Sequence, residues 1–306
     1  MKSFSELTKE ELYKTDNPNS CCDAAEFGGM LLMGCSISCD EIKLVTENPD
    51  VLGCFAMLAR RLGYSAEIGQ AADKASRYSA GITDPTQIFM ILSEYSLIDS
   101  DTRIIKHKIA RHIVENDCCR RAFVRGAFLG GGTVIDPKKN YNLELVTPYM
   151  GLSRDICELL RTDGFTFKTV VRKSKYVIYI KNSETIQDFL SYMGAYKAQM
   201  ELINVKIEKE IRNDVTRSIN SETANYEKTI SASVKQIQAI EEIQKFMKLD
   251  DLPDELREIA RLRLKYKSMS LTELGDKCTP KLGKSGVNHR MKKILALAEK
   301  LKTKPE

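Results

Sequence analysis

The sequence predicts an α+β fold made by duplication and followed by a small, basic, all-α module. Three observations carry this reading: two similar segments about 98 residues apart, the same succession of helix and strand periodicities after each, and a positive charge confined to the last 54 residues. CCDAAEFGGMLLMGCSI at 21–37 returns as CCRRAFVRGAFLGGGTV at 118–134. Placing Gly28 on Gly126 also places Gly34 on Gly132 and Ile37 on Ile135, with the cysteine pairs one residue out of step. Pro49 and Pro148, then Gly63 and Gly164, keep the order while the offset drifts to 101. Self-similarity that holds its order over such a length marks a repeated structural unit.

Each copy opens with a helix that ends near its glycines, at Met33 and at Gly131. A strand follows, Ile42 to Thr46 in the first copy and Tyr141 to Thr147 in the second, where Leu143 and Leu145 alternate with Asn142 and Glu144. Next comes an amphipathic helix, 51–62 or 151–161, closed by Gly63 or Gly164 as a left-handed cap. Two further strands are clearest as FTFKTVV and KYVIYIK, joined by a turn at Lys173 and Ser174. A closing helix spans 85–95 or 184–193. Antiparallel strands with helices on one face, twice over, make an α+β pseudo-dimer.

Glycine inside the opening helices needs an explanation, because it costs about 0.5–1 kcal/mol against alanine in a helix interior. Gly28 and Gly29 in the first helix, and Gly126, Gly130, Gly131 and Gly132 in the second, leave one stripe free of side chains; Gly28 and Gly126 do not end their helices, so close backbone contact between the two opening helices is the expected compensation.

At 306 residues, with 42% hydrophobic and 29% charged residues, the chain has the composition of a folded protein of two ordinary domains. The polar amphipathic start MKSFSELTKEEL has no signal-peptide core, and no apolar run approaches the roughly 20 residues of a membrane span, so a cytoplasmic protein without membrane contact is expected. Nine cysteines, including the adjacent pairs Cys21-Cys22 and Cys118-Cys119, are poor material for a disulfide framework and read as reduced thiols. Cys35 and Cys39 stand alone, and His107 and His112 lack a third partner nearby, so neither a metal site nor a cofactor is expected. No nucleophile–base pair, phosphate-binding loop or dinucleotide fingerprint follows a strand.

From Pro253 onward there are 14 Lys and Arg against 7 Asp and Glu, whereas the preceding residues hold 33 against 35. A local positive field suits a polyanion, since every neutralised phosphate releases counterions; a solvated helical face is the alternative. Helical patterning with high polarity runs through 194–250, divided by a helix-breaking cluster at Asn220 to Asn225. Pro253 then starts ELREIARLRLKY, with Leu256, Ile259, Ala260, Leu262 and Leu264 toward a core. Ser270 and Glu273 form a capping box for a short helix, CTPKLG turns the chain, and Ser285 caps the last helix. There Val287, Met291, Ile294 and Ala298 recur at helical spacing. The opposite side carries Ser285, Asn288, His289 and Lys292, flanked by Lys284, Arg290 and Lys293. That is the disposition of a recognition helix, in which Asn reads adenine, Arg or His reads guanine, and Lys and Ser hold phosphate. The absence of Trp and the scarcity of aromatics in this module argue against single-strand stacking platforms.

VRGAFLGGG at 124–132 resembles the LAGLIDADG motif of homing endonucleases, and EFGGMLLMG at 26–34 is similar. In that family the acidic residue before the final glycine of each helix holds a divalent metal; the corresponding residues here are Met33 and Gly131, which cannot ligate a hard cation. Asp40 and Asp136 lie just beyond and read as ordinary solvated carboxylates, the latter in a turn with Pro137. CCRRAFVRGAFLGGGTVIDP, SINSETANYEKTISASVKQ at 218–236, LPDELREIARLRLKY and GKSGVNHRMKKI, in that order, resemble the WhiA family of bacterial sporulation and cell-division regulators, from about Cys21 to about Lys300. The resemblance implies a catalytically inactive scaffold and a transcription factor acting on double-stranded DNA; the duplicated domain is expected either to add DNA surface or to recruit a partner such as another regulator or RNA polymerase. It also makes Asn220, Thr223, Ala224 and Asn225 an interdomain or DNA-facing element; a capped turn between helices is the other reading. The expected organisation is a duplicated LAGLIDADG-like domain over 1–215, with copies at about 20–97 and 117–195, a linker over 216–232 and a helix-turn-helix domain over 233–306. The expected function is sequence-specific regulation at the nucleoid; an active site-specific endonuclease is the alternative.

Overall fold

In a computed structural model, residues 2–71, 77–99 and 102–302 are described. They form two compact units, one ending at Lys209 and the other starting at Glu210. In the first unit, α1 (Phe4–Tyr13) precedes two copies of one motif. The first copy is α2 (Ser20–Gly34), β1 (Cys35–Ile37), β2 (Ile42–Thr46), α3 (Pro49–Arg61), β3 (Glu67–Gln70), β4 (Tyr78–Ile82) and α4 (Pro85–Glu94). A 3-10 turn at Arg111–Val114 leads into the second: α5 (Asp117–Gly131), β5 (Gly132–Val134), β6 (Leu143–Thr147), α6 (Met150–Thr162), β7 (Lys168–Arg172), β8 (Lys175–Ile180) and α7 (Ser183–Met193).

Each copy has one four-stranded antiparallel sheet, in the order β1-β2-β4-β3 and β5-β6-β8-β7. The strand alternation seen in the sequence decides which face is covered. Leu143 and Leu145 oppose Ile180 and Ile178 and are buried, as Ile42 and Leu44 are with Ile82 and Ala80. The helices α3 and α6 stop where Gly63 and Gly164 take φ of +83° and +87°. The short pairing strands β1 and β5, and the N-terminal helix with its Ser3–Glu6 capping box, were not anticipated from the sequence.

The two copies meet along α2 and α5, side by side at backbone contact. A methyl group on Gly126 would collide with the carbonyl of Glu26, and one on Gly29 with the carbonyl of Phe123 and, at 2.6 Å, the amide of Ala127. These contacts are symmetric under an offset of 97, not 98, which also aligns the helix bounds and the cysteine pairs. Gly28, expected at the interface, instead leaves room for the ring of Tyr95, whose hydroxyl donates to the Ala24 carbonyl at 2.9 Å. The offset grows to 101 because the connection 135–142 is four residues longer than its counterpart 38–41.

Among the described residues, one ion pair joins α2 to α5 across this seam. The Arg125 guanidinium donates through Nε and Nη2 to the two carboxylate oxygens of Glu26, at 3.0 and 2.9 Å, with both side chains buried. Asn17 completes it, accepting from Arg125 and donating to Glu26 at 2.7 Å. At the start of the same helices the sulfurs of Cys21, Cys22, Cys118 and Cys119 come within 4.8 Å of one another, which two pairs far apart in sequence did not reveal. Burial raises the thiols of Cys22 and Cys119.

Helix α8 (Tyr196–Phe246) runs unbroken for 51 residues. The polar cluster Asn220 to Asn225 is helical and exposed within it, so the division expected there does not occur; polar residues weaken a helix less than Gly or Pro would. In the second unit the end of α8 packs with α9 (Asp254–Lys265), α10 (Leu271–Asp276) and α11 (Lys284–Lys302) around Ile240, Ile243, Ile259, Leu274, Met291 and Ile294. Among the described residues no helix is long and apolar enough to cross a membrane.

Two stability predictions follow from the seam. Gly126→Ala should cost about 3 kcal/mol or more, because a rigid backbone must move, whereas Gly151→Ala, where an added methyl meets nothing, should gain about 0.4–1 kcal/mol; urea melts of both variants check the contrast. Glu26→Ala should cost about 3–5 kcal/mol by stranding a buried guanidinium, and pairing it with Arg125→Met should recover much of the loss, as a double-mutant cycle would read.

Candidate nucleic-acid interface

The second unit positions α11 through its turn and through α9. The capping box expected at Ser270 is present: the Glu273 amide donates to Ser270 Oγ at 3.3 Å and the Ser270 amide to Glu273 Oε2 at 2.7 Å. After α10 the chain folds back on Gly275, whose carbonyl accepts from the Leu282 amide at 3.0 Å and where any side chain would strike the Leu282 carbonyl. The Thr279 amide donates to Glu258 Oε1 at 2.7 Å, tying the turn to α9. Helix α11 begins at Lys284, and the Val287 amide donates to the Gly283 carbonyl at 3.1 Å. Ser285, expected as the cap, therefore stands inside the first turn.

The buried stripe of α9 is Leu256, Ile259, Ala260 and Arg263, whereas Leu262 and Leu264, also expected in the core, are only partly buried. The hydrophobicity pattern passed over Arg263 because it is charged. Its guanidinium donates to the carbonyls of Met269 at 2.6 Å and Tyr266 at 3.4 Å, holding the turn before α10. Burial lowers its pKa.

On α11, Val287, Met291, Ile294 and Ala298 are buried as their spacing predicts. The seven residues singled out in the sequence divide into two groups. Lys284, Ser285, Asn288, His289 and Lys292 are exposed, and neither Lys284 nor Lys292 is paired with a carboxylate among the described residues. Arg290 and Lys293 turn toward α9: Arg290 lies 3.6 Å from Glu258 and 4.0 Å from Glu255, and Lys293 2.9 Å from Glu255. The Lys293 ammonium holds the Glu255 carboxyl below the usual range. These two cations fasten α11 to its neighbour and offer less free charge than the exposed row.

The first unit offers a second basic surface. All five residues of β7 are exposed, and by register Lys168, Arg172 and Lys175 share the sheet face turned away from Ile178 and Ile180. Glu144 pairs with Arg172 at 3.0 Å. The sequence carried this only as a Lys-Thr-Val-Val-Arg alternation.

At the far ends of α2 and α5, the helix bounds match Gly131 with Gly34 and not with Met33. Space for a side chain is closed at both glycines: a methyl on Gly131 would lie 2.9 Å from the Met33 carbonyl and 3.0 Å from that of Val146, and one on Gly34 would lie 2.9 Å from Gly130 Cα. Beside them the Lys9 ammonium donates to the Leu129 carbonyl at 3.0 Å, and burial lowers its pKa to about 8. Asp136 accepts from the Lys138 amide at 2.9 Å in the turn expected for it.

The family model described as the WhiA LAGLIDADG-like domain matches residues 120–212, and that of the WhiA C-terminal HTH domain matches residues 215–298. Curated relatives are the probable cell division proteins WhiA of Alkaliphilus metalliredigens, 37% identical over 97% of this chain and 98% of its own length, and of Ruminiclostridium cellulolyticum, 39% identical over 98% of each. Among solved structures, full-length DUF199/WhiA from Thermatoga maritima is similar with a TM-score of 0.62 and 25% identity, covering 98% of this chain and 99% of that one. The N-terminal LAGLIDADG domain of DUF199/WhiA matches with a TM-score of 0.50 and 18% identity over 63% of this chain and 91% of its own, a likeness of fold. The duplicated unit is thus a degenerate LAGLIDADG domain, the module after it carries a helix-turn-helix, and the chain belongs to the WhiA family of cell-division proteins.

Proposed function

We propose that this protein is a sequence-specific, non-enzymatic regulator of transcription that reads double-stranded DNA through α11. The observation that carries the reading is the exposed row Lys284, Ser285, Asn288, His289 and Lys292, opposite the row that packs on α9 and α10. Asn288 and His289 project donors and acceptors of the kind that read base edges in a major groove, while Lys284, Ser285 and Lys292 suit phosphates. Arg290 and Lys293 act by fixing the helix and add to the field.

The alternative, an active endonuclease, is disfavoured by chemistry and by room. Divalent-metal hydrolysis needs oxygen ligands where the two helices end, and there glycine backbones touch with a lysine ammonium at hand. The role we assign is control of cell-division and sporulation genes in the cytoplasm, at the nucleoid, with the duplicated unit as a scaffold that adds DNA surface or recruits another regulator or RNA polymerase. The exposed Lys168, Arg172 and Lys175 fit the first of these.

Anisotropy with genomic duplex fragments over a salt series tests the reading. Asn288→Ala with His289→Ala should weaken specific binding about tenfold or more and relax sequence discrimination, since each good base contact is worth about 1–3 kcal/mol. Lys292→Ala should weaken all duplexes alike and lower the slope of log affinity against log salt by about 1. Salt-insensitive binding would assign the helix-turn-helix to a protein partner, and Mg²⁺-dependent cutting would restore the enzyme.

A further inference from the structure

The two cysteine pairs are separated by 97 residues in the sequence, but the pseudo-twofold seam brings them together. Cys21 and Cys22 occupy the second and third positions of α2, and Cys118 and Cys119 the same positions of α5. All four sulfurs lie within 4.8 Å of one another, and all four are free thiols. We propose that Cys21, Cys22, Cys118 and Cys119 form a tetrathiolate site for a single thiophilic divalent cation, zinc, which clasps the N-terminal ends of the two central helices.

Geometry favours one ion. With Zn–S bonds of about 2.3 Å, a tetrahedron of sulfurs has edges of about 3.8 Å, so the thiols need to close by about 1 Å at most. Small side-chain rotations accomplish this. A donor set of sulfur alone excludes hard cations such as Mg²⁺ and Ca²⁺ and selects a soft or borderline one. The surroundings suit the negative charge that four thiolates leave around a divalent ion. All four cysteines stand in the first turns of two helices, whose N-terminal partial positive charge favours thiolates, and neither Asn19 nor Asn116, at the cap positions, makes a side-chain capping bond. Cys22 and Cys119 are buried while Cys21 is exposed, giving the ion anchored ligands and a route of entry. Binding displaces the thiol protons to solvent and requires no oxidant.

Cobalt provides the probe. The full chain, reduced and stripped of metal, is titrated anaerobically with Co²⁺ and then with Zn²⁺. One Co²⁺ per chain should bind with the sulfur-to-cobalt charge-transfer and strong visible bands of a tetrahedral tetrathiolate, and one equivalent of Zn²⁺ should bleach them and raise the melting temperature. Cys21→Ser, at the exposed position of the cluster, should keep the melting temperature of the metal-free chain, shift the spectrum and weaken binding about tenfold or more; adding Cys118→Ser should abolish the bands. Absence of charge-transfer bands, a spectrum unchanged by Cys21→Ser, or oxidation of the reduced chain to cross-helix disulfides in place of metal uptake would overturn the proposal.

Discussion

The contact on which the first unit depends is the backbone approach of α2 and α5 at Gly29 and Gly126. Each glycine lets the neighbouring helix place a carbonyl where a methyl group would otherwise stand, so the pair can pack no other way without separating. That distance brings Arg125 within reach of Glu26, gathers four cysteine sulfurs at one end of the seam and presses Gly34 against Gly130 at the other. The two sheets follow, because β1 and β5 continue directly from the helix ends and set the register of β2 and β6.

The same approach accounts for the loss of nuclease chemistry in the proposed reading. Side chains with carboxylates at Gly34 and Gly131 would need space that the opposite backbone fills, and the Lys9 ammonium is a poor neighbour for a divalent cation. In that proposed reading, recognition falls to α11. Its free cations and amide and imidazole groups face solvent, while Val287, Met291 and Ile294 seat the other side in the core and Arg290 and Lys293 pair with Glu258 and Glu255 on α9.

Much of this was legible in the sequence, for reasons that differ by element. Strand and helix periodicity located both sheets, and Gly63 and Gly164 marked real left-handed caps. The duplication was visible, but aligning Gly28 with Gly126 gave an offset one residue too long and selected Met33 in place of Gly34; the cysteine pairs already held the right offset. The sequence placed both Gly28 and Gly29 in the close-contact stripe; the structure divides them, with Gly29 making the helix contact and Gly28 admitting Tyr95. Hydrophobic patterning also passed over Arg263, whose burial depends on carbonyls from a turn, and spacing along the chain could not bring together cysteines that meet across two helices. The polar run Asn220 to Asn225 looked like a break, yet it carries neither Gly nor Pro and continues α8. On α11 the periodicity separated buried from exposed residues correctly, but ion pairing with α9 is invisible to a helical wheel.

The most direct test of the account is a structure of the full chain bound to a duplex selected from genomic fragments, grown with Mg²⁺ present. The account predicts α11 in the major groove, Asn288 and His289 at base edges, both DNA strands intact and no Mg²⁺ between the ends of α2 and α5. A cut strand beside a divalent ion at Gly34 and Gly131, or α11 facing away from the DNA, would contradict it.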